Sequence, residues 1–292
     1  MTEALDWSQE QWSTISQVVH DEALRARVAA SFLPLYGPLP ADTQAVPLNS
    51  LELAASPGGA AKRFVVNDYD TTRLSTVSVN VYLKNAQMSD PELSAAQIMF
   101  RRAAAVVARV EDQIVFNGQP GTGKGPAPVG LEKLPEVYTV SGGGKYDGLL
   151  QEGAKNPTTG TKAGATPTGD EVFQAVVAGI NKLETEGHLG PFACVMGNTL
   201  FRAVTTPLPN SMVLPRDSIL PFLDGPLLRS GAIPEDKAIL VSLQGAPIEI
   251  VVPSDISVKY LQTSADGDNI FRVQQKFRLR VKEGEAVTTI SF

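Results

Sequence analysis

Between Asp90 and Phe116 the apolar residues Leu93, Ala96, Phe100, Ala103, Val107, Val110 and Ile114 alternate spacings of three and four, the pattern of a helix with a continuous apolar stripe. Ser89 and Asp90 can accept from its first free amides, Pro91 suits a first helical position, and Asn117-Gly118 tolerates the left-handed turn that stops it. At about 1.5 Å per residue this helix spans roughly 40 Å. Ile98, Met99, Val106 and Val115 lie off the stripe, so it is read as crossing a sheet and touching a second surface.

A second amphipathic helix starts at Ser8. The spacing Ser8-x-x-Gln11 is that of a capping box, and Trp7 and Trp12 stand where a hydrophobic staple would close. Its stripe, Trp12, Ile15, Val19, Ala23, Ala26 and Ala30, narrows to small residues, which either leaves room for a guest or lets the helix pack closely on a sheet. Thr168-x-x-Glu171 caps a third helix running to Gly187, with Val172, Val176, Ile180 and Leu183 on one side. A short buried strand, Phe192 to Met196, a helix, Asn198 to Thr205, and a proline-bearing exposed connection to Asp217 follow.

Period-two alternation marks the strands. Val77, Val79, Val81 and Leu83 alternate with Ser78, Asn80 and Tyr82 and, with an earlier extended stretch after Leu51, predict a two-stranded arm flanking Asp68-Tyr69-Asp70-Thr71. An isolated hairpin is marginal in water, so the arm is expected to pack on another subunit. The end of the chain reads as strands over Ala238–Leu243, Ile248–Val252, Ser257–Gln262, Ile270–Val281 and Val287–Phe292. In the longest of these, Phe271, Val273, Phe277, Leu279 and Val281 face a core, and Arg272, Gln274, Lys276, Arg278 and Arg280 face water or an interface. From Ser141 to Gly169 the chain is rich in Gly, Thr, Lys and Ala and reads as a surface insertion.

Composition narrows the function. The chain has 292 residues, 43% of them hydrophobic and 19% charged, with a formal net charge of -6 and no basic run, which disfavours a nucleic-acid partner. No apolar run approaches a membrane span. The start Met1-Thr2-Glu3-Ala4 lacks the regions of a signal peptide and Cys194 is the single cysteine, so a cytoplasmic protein without internal disulfides is expected.

Candidate chemistry is sparse. His20 and His188 have no metal-motif partner, and Cys194 sits in an apolar strand as an inert thiol. Glu111-Asp112 and Glu235-Asp236 read as solvated surface charge. The run Gly118 to Gly125 has phosphate-loop spacing up to Lys124, but Gly125 replaces the hydroxyl that would hold magnesium, and Pro126 and Pro128 block a following helix. It is read as a loop, and no enzyme, metal site or cofactor is assigned.

Several segments in fixed order resemble the encapsulins, bacterial compartment shell proteins with the HK97 phage-capsid-like α+β fold. They are Gln11-Trp12 and Tyr36-Gly37-Pro38; Val110 to Gly118 followed by Gly130-Leu131; Glu186 to Phe192; Asp255 to Tyr260; and Gly284-Glu285-Ala286-Val287 to Phe292. The resemblance implies an N-terminal helix and connection over 1–50, an extended loop over 51–88, a spine helix and the start of a peripheral domain over 89–136, a Gly/Thr-rich insertion over 137–168, an axial domain over 169–252, and C-terminal strands of the peripheral domain over 253–292. It further implies self-assembly into an icosahedral shell that encloses a cargo enzyme, such as a ferritin-like protein or peroxidase, through a C-terminal targeting peptide; the alternative is a phage major capsid protein of the same fold.

By the same resemblance, Pro209, Asn210, Ser211 and Met212 line an uncharged pore. The cargo groove takes Ala23, Ala26, Arg27, Ala30, Leu33 and Leu35 from the helix side and Ile256, Val258 and Tyr260 from the facing strand. Some members hold a flavin on a tryptophan where this chain has Tyr82, and no flavin is claimed.

Overall fold

The computed structural model describes residues 7–55, 62–119, 137–208 and 213–292. The chain opens with helix α1, Gln9–Ala26, whose capping box between Ser8 and Gln11 is formed and whose staple closes with Trp7 and Trp12 rings 5.3 Å apart. It ends earlier than its stripe suggests, because Arg27 turns extended and a short 3₁₀ turn, Ala29–Ser31, replaces the last helical turn. Three short strands follow, β1 at Leu35–Tyr36, β2 at Ala45–Pro47 and β3 at Ser50–Ala55.

Strands β4, Lys62–Asn67, and β5, Thr71–Arg73, return antiparallel to β3 and β2 respectively. Strand β6, Ser75–Leu83, corrects the expected arm. It pairs along its length with a C-terminal strand and over Ser75–Val79 with a strand on its other side, and Val77, Val79, Val81 and Leu83 are buried. Its alternation reports a sheet inside this chain, and the arm is the separate pair β3–β4.

After the short helix α2, Asn85–Met88, the long helix α3 runs over Ser94–Asn117, 24 residues or about 36 Å. It begins later than Asp90 because the Asp90 carboxylate accepts from the Glu92 and Ser94 amides and Leu93 adopts a left-handed conformation. Gly118 terminates it at φ 73°, where a Cβ would lie 2.4 Å from the Tyr146 carbonyl oxygen. The glycine-rich run beyond Gln119 lies outside the described residues.

The segment from 137 to 168 is stitched into the fold and is not a surface insertion. Strand β7, Tyr138–Gly142, extends the β6 sheet, helix α4, Leu149–Gly153, buries Leu149 and Leu150, and β8, Thr158–Thr159, joins a second sheet. Helix α5, Gly169–Thr185, has its capping box formed by Thr168 and Glu171. Strand β9, Phe192–Met196, is wholly buried and is followed by α6, Asn198–Thr205, and α7, Pro215–Leu223. Strands β10, Leu227–Arg229, and β11, Lys237–Ser242, then lead to β12, Ile248–Thr263, one strand with register shifts in place of the two expected. Strand β13, Asn269–Val281, and β14, Val287–Ser291, complete the chain.

Two five-stranded sheets result, ordered β1-β12-β13-β6-β7 and β10-β9-β11-β14-β8. The last strand thus belongs to the second sheet and not with β12 and β13, as the division at 253–292 expects. The second sheet is covered on both faces, which its unbroken apolar strands require: Ala193, Val195, Ile239 and Val241 face a core shared with α1, α3 and the first sheet, while Cys194, Met196, Ala238 and Leu240 face a second core under α5, α6 and α7. Burial pushes the Cys194 thiol up to about 12, so it stays protonated and inert.

Candidate functional site

Two features of the chain's surface bear on function: the β3–β4 arm and the seat of α1 on α3 and β12. In the arm, Leu51 pairs with Val66, and Phe64 lies two residues from Val66 on the same face. Phe64 is 73% exposed, Val66 54% and Leu51 38%, and the neighbouring Tyr69 stands almost wholly in solvent. A cleft of about 700 Å³ separates Leu51 and Phe64 from Glu186, His188 and Glu283. The arm is held to the body at its base, where the Leu51 amide donates to the Lys282 carbonyl. Nearby Arg280 donates to the Pro47 carbonyl and pairs with Glu249, both ions buried. The basic row of β13 is therefore not all wet: Arg280 also covers the Tyr36 ring, and Arg278 lies buried 3.3 Å over the Tyr146 ring.

The α1 seat is built around Arg27, whose side chain is 4% exposed. Its Nε lies 2.9 Å from Glu111 Oε2 as an ion pair without hydrogen-bond alignment, and its terminal nitrogen donates to Asp255 Oδ1 at 3.0 Å and to Gln275 Oε1 at 2.8 Å. Asp255 also accepts from the Ile256 amide and lies 3.1 Å from His20 Nδ1. Beside Glu111, the Asp112 carboxylate accepts from the Val28 and Ala29 amides at 2.8 to 3.1 Å, fixing the turn after α1.

Glu111 and Asp112 are thus buried, not solvated as expected for an acidic pair on a helix. Burial raises each to about 7, outweighing Arg27 and Gln275 at Glu111 and the two amides at Asp112. At Asp255 burial works in the same direction, but Arg27, the Ile256 amide and His20 together hold it below the ordinary range. Glu235 and Asp236 are exposed, as expected.

The expected groove residues fall into three groups. Ala23, Leu33 and Ile256 are buried in the core between helix and sheet, and Arg27 is enclosed in its ion network. Ala26, Ala30, Val258 and Tyr260 are partly buried, Ala30, Val258 and Tyr260 being packed against that core, with the Tyr260 ring edge-on to Phe271. Leu35, 53% exposed, pairs with Ile250, six residues from Ile256 along β12 and roughly 20 Å away at the usual strand rise.

The surface available near α1 is thus Ala26, Ala30, Val258 and Tyr260, flanked by Leu24, which is 56% exposed. Residues 209–212, expected at a pore, lie outside the described residues. Tyr82, half exposed, stands on a cleft of about 710 Å³ with Ile98, Met99, Arg102 and Val137; one cation in an apolar lining gives no basis for assigning a flavin. Among the described residues no cluster of His, Cys, Asp or Glu could hold a metal, and no helix is long and apolar enough to cross a membrane.

Sequence reasoning did not reach Asp255, Gln275 and Glu111 as one cluster. A signal was present: Glu111 follows Val107 by four residues on the helix stripe, and Gln275 falls on the parity of Val273 and Phe277, so each places a polar group on an apolar face.

A family model described as "encapsulating protein for peroxidase" matches residues 2–127 and 137–277 of the chain. The chain is similar to the type 1 encapsulin shell protein EncA of Myxococcus xanthus, 24% identical over 97% of this chain and 92% of that one. It is also similar to a diheme-cytochrome-encapsulin shell fusion protein of Kuenenia stuttgartiensis, 24% identical over 97% of this chain and 73% of that one. The solved virus-like particle of Pyrococcus furiosus superposes with a TM-score of 0.65 at 13% identity, covering 97% of this chain and all of that one. The fold is that of HK97-like capsids and encapsulins.

Proposed function

The chain belongs to the encapsulin family of shell proteins, and from that premise we propose how copies of it close into an icosahedral nanocompartment in the cytoplasm and hold a cargo enzyme inside. The exposed apolar face of the β3–β4 arm carries the proposal. Leu51, Phe64 and Val66 together leave apolar area in water that a neighbouring copy would cover, each fully buried side chain contributing about 1.5 to 3 kcal/mol. The same patch meets a different patch on the neighbour, and heterologous contacts of that kind close into rings and shells. Negative-stain micrographs of the purified protein should show closed hollow particles; dispersed protomers would refute the reading.

Cargo is held at the accessible edge of the α1 seat. A C-terminal peptide carrying two or three Leu, Ile or Val residues lies along Ala26, Ala30, Val258 and Tyr260, with Ala23, Leu33 and Ile256 as the floor beneath and Arg27 fixing the floor from below. Leu35 takes part if the peptide extends along β12. Many copies in one shell retain a multimeric guest, a ferritin-like protein or a peroxidase, by avidity even where each site is weak. Ala30→Phe should give intact shells that come out empty on co-expression with the native cargo, and normal loading would defeat the groove. The phage-capsid alternative has the same fold, and the family model, covering nearly the whole chain, favours the compartment.

A further inference from the structure

The α1 seat holds more negative charge than positive. Glu111 and Asp112 of α3 and Asp255 of β12 meet one guanidinium, Arg27, with His20 of α1 on the Asp255 side and Gln275 of β13 contributing an amide. The Val28 and Ala29 amides face Asp112. On the far side of Glu111 stand Tyr146, itself raised by burial, and Arg278, whose guanidinium is taken up by the Tyr146 ring. Arg27 is the extended residue that joins α1 to the turn at Ala29–Ser31, so the helix and the turn meet at the charged cluster itself.

We infer that seating α1 takes up a proton shared by Glu111 and Asp112, so that the N-terminal helix is tightly latched in acid and loosens as pH rises through neutrality. With both acids ionised, two enclosed carboxylates would face one enclosed guanidinium that also pairs with the half-open Asp255, and opening of the α1 seat relieves the excess by admitting water to them. The sign follows from linkage. Both acids have folded values raised to about 7, from 4.5 for Glu111 and 3.8 for Asp112. The added stability of the seat is therefore fully present below the unfolded values and is lost as pH rises through about 7. Asp255 moves the other way and acts only in stronger acid.

The test is hydrogen–deuterium exchange of the full-length assembled protein between pH 5 and 8.5, with rates corrected for intrinsic exchange and α5, Gly169–Thr185, as the internal reference. Opening of α1 should rise at least about tenfold per pH unit from pH 5 to 7, the slope for one proton, and level off above, while α5 stays flat. Glu111→Gln with Asp112→Asn should remove the rise, and His20→Asn should keep it. Protection of α1 that does not change with pH in the wild type, or an unchanged slope in the double variant, would overturn the latch. Should the double variant fail to fold, the wild-type comparison of α1 with α5 decides alone.

Discussion

Strands β4 and β6 lie close together in the chain, both carry apolar side chains two residues apart on one face, and they have opposite fates. In β6 the alternating Val77, Val79, Val81 and Leu83 are all buried, and the strand is hydrogen-bonded to β13 along its length and to β7 over Ser75–Val79. In β4 the strand has one partner, β3, and Phe64 and Val66 stand in solvent. Alternation states that a face must be covered. It does not state whether the cover comes from the same chain: for β6 it comes from α3, and for β4 no cover comes from the described residues.

The largest effect is expected where the cover is internal. Val79→Asp places an uncompensated carboxylate between β6 and α3 and should cost more than about 4 kcal/mol, read as loss of the cooperative thermal transition; a folded variant would show that β6 is not the closed strand described. Phe64→Asp sharpens the contrast. Its protomer should keep native near-ultraviolet circular dichroism but fail to form particles by light scattering, and an unfolded protomer would erase the distinction between the two strands.

The smallest effect is expected for Val66→Thr, which keeps the side-chain shape on an exposed position. Dissociated protomers should unfold within about 0.5 kcal/mol of wild type in urea, while the denaturant needed to dissolve the assembled particles falls. Equal changes in both measurements would place Val66 in the protomer's own core.

Much of the local structure was legible in the sequence because its causes are local. The boxes at Ser8 and Thr168 and the stop at Gly118 each depend on residues within one or two turns, and each formed where the spacing placed it. What was not legible depends on contacts far along the chain. The alternation of β6 points only to a strand, because its partner β13 lies nearly two hundred residues away. The composition of the 137–168 segment, rich in Gly and Thr, points to an insertion, while its anchoring rests on Leu149, Leu150 and two residues paired to β14. Within the expected cargo groove, the sequence could not tell enclosed positions from accessible ones, since Ala23 and Ala26 are one turn apart and only the first is enclosed. The charges of the α1 seat were missed because Arg27, Glu111 and Asp255 are brought together only by the fold.

The central claim is that the face of Leu51, Phe64 and Val66 is covered by another copy. Sedimentation velocity of the purified wild-type chain at neutral pH tests it most directly. The prediction is one fast boundary many times heavier than the 31.1 kDa chain, with little material at the protomer's own mass; a main boundary near 31.1 kDa would contradict it.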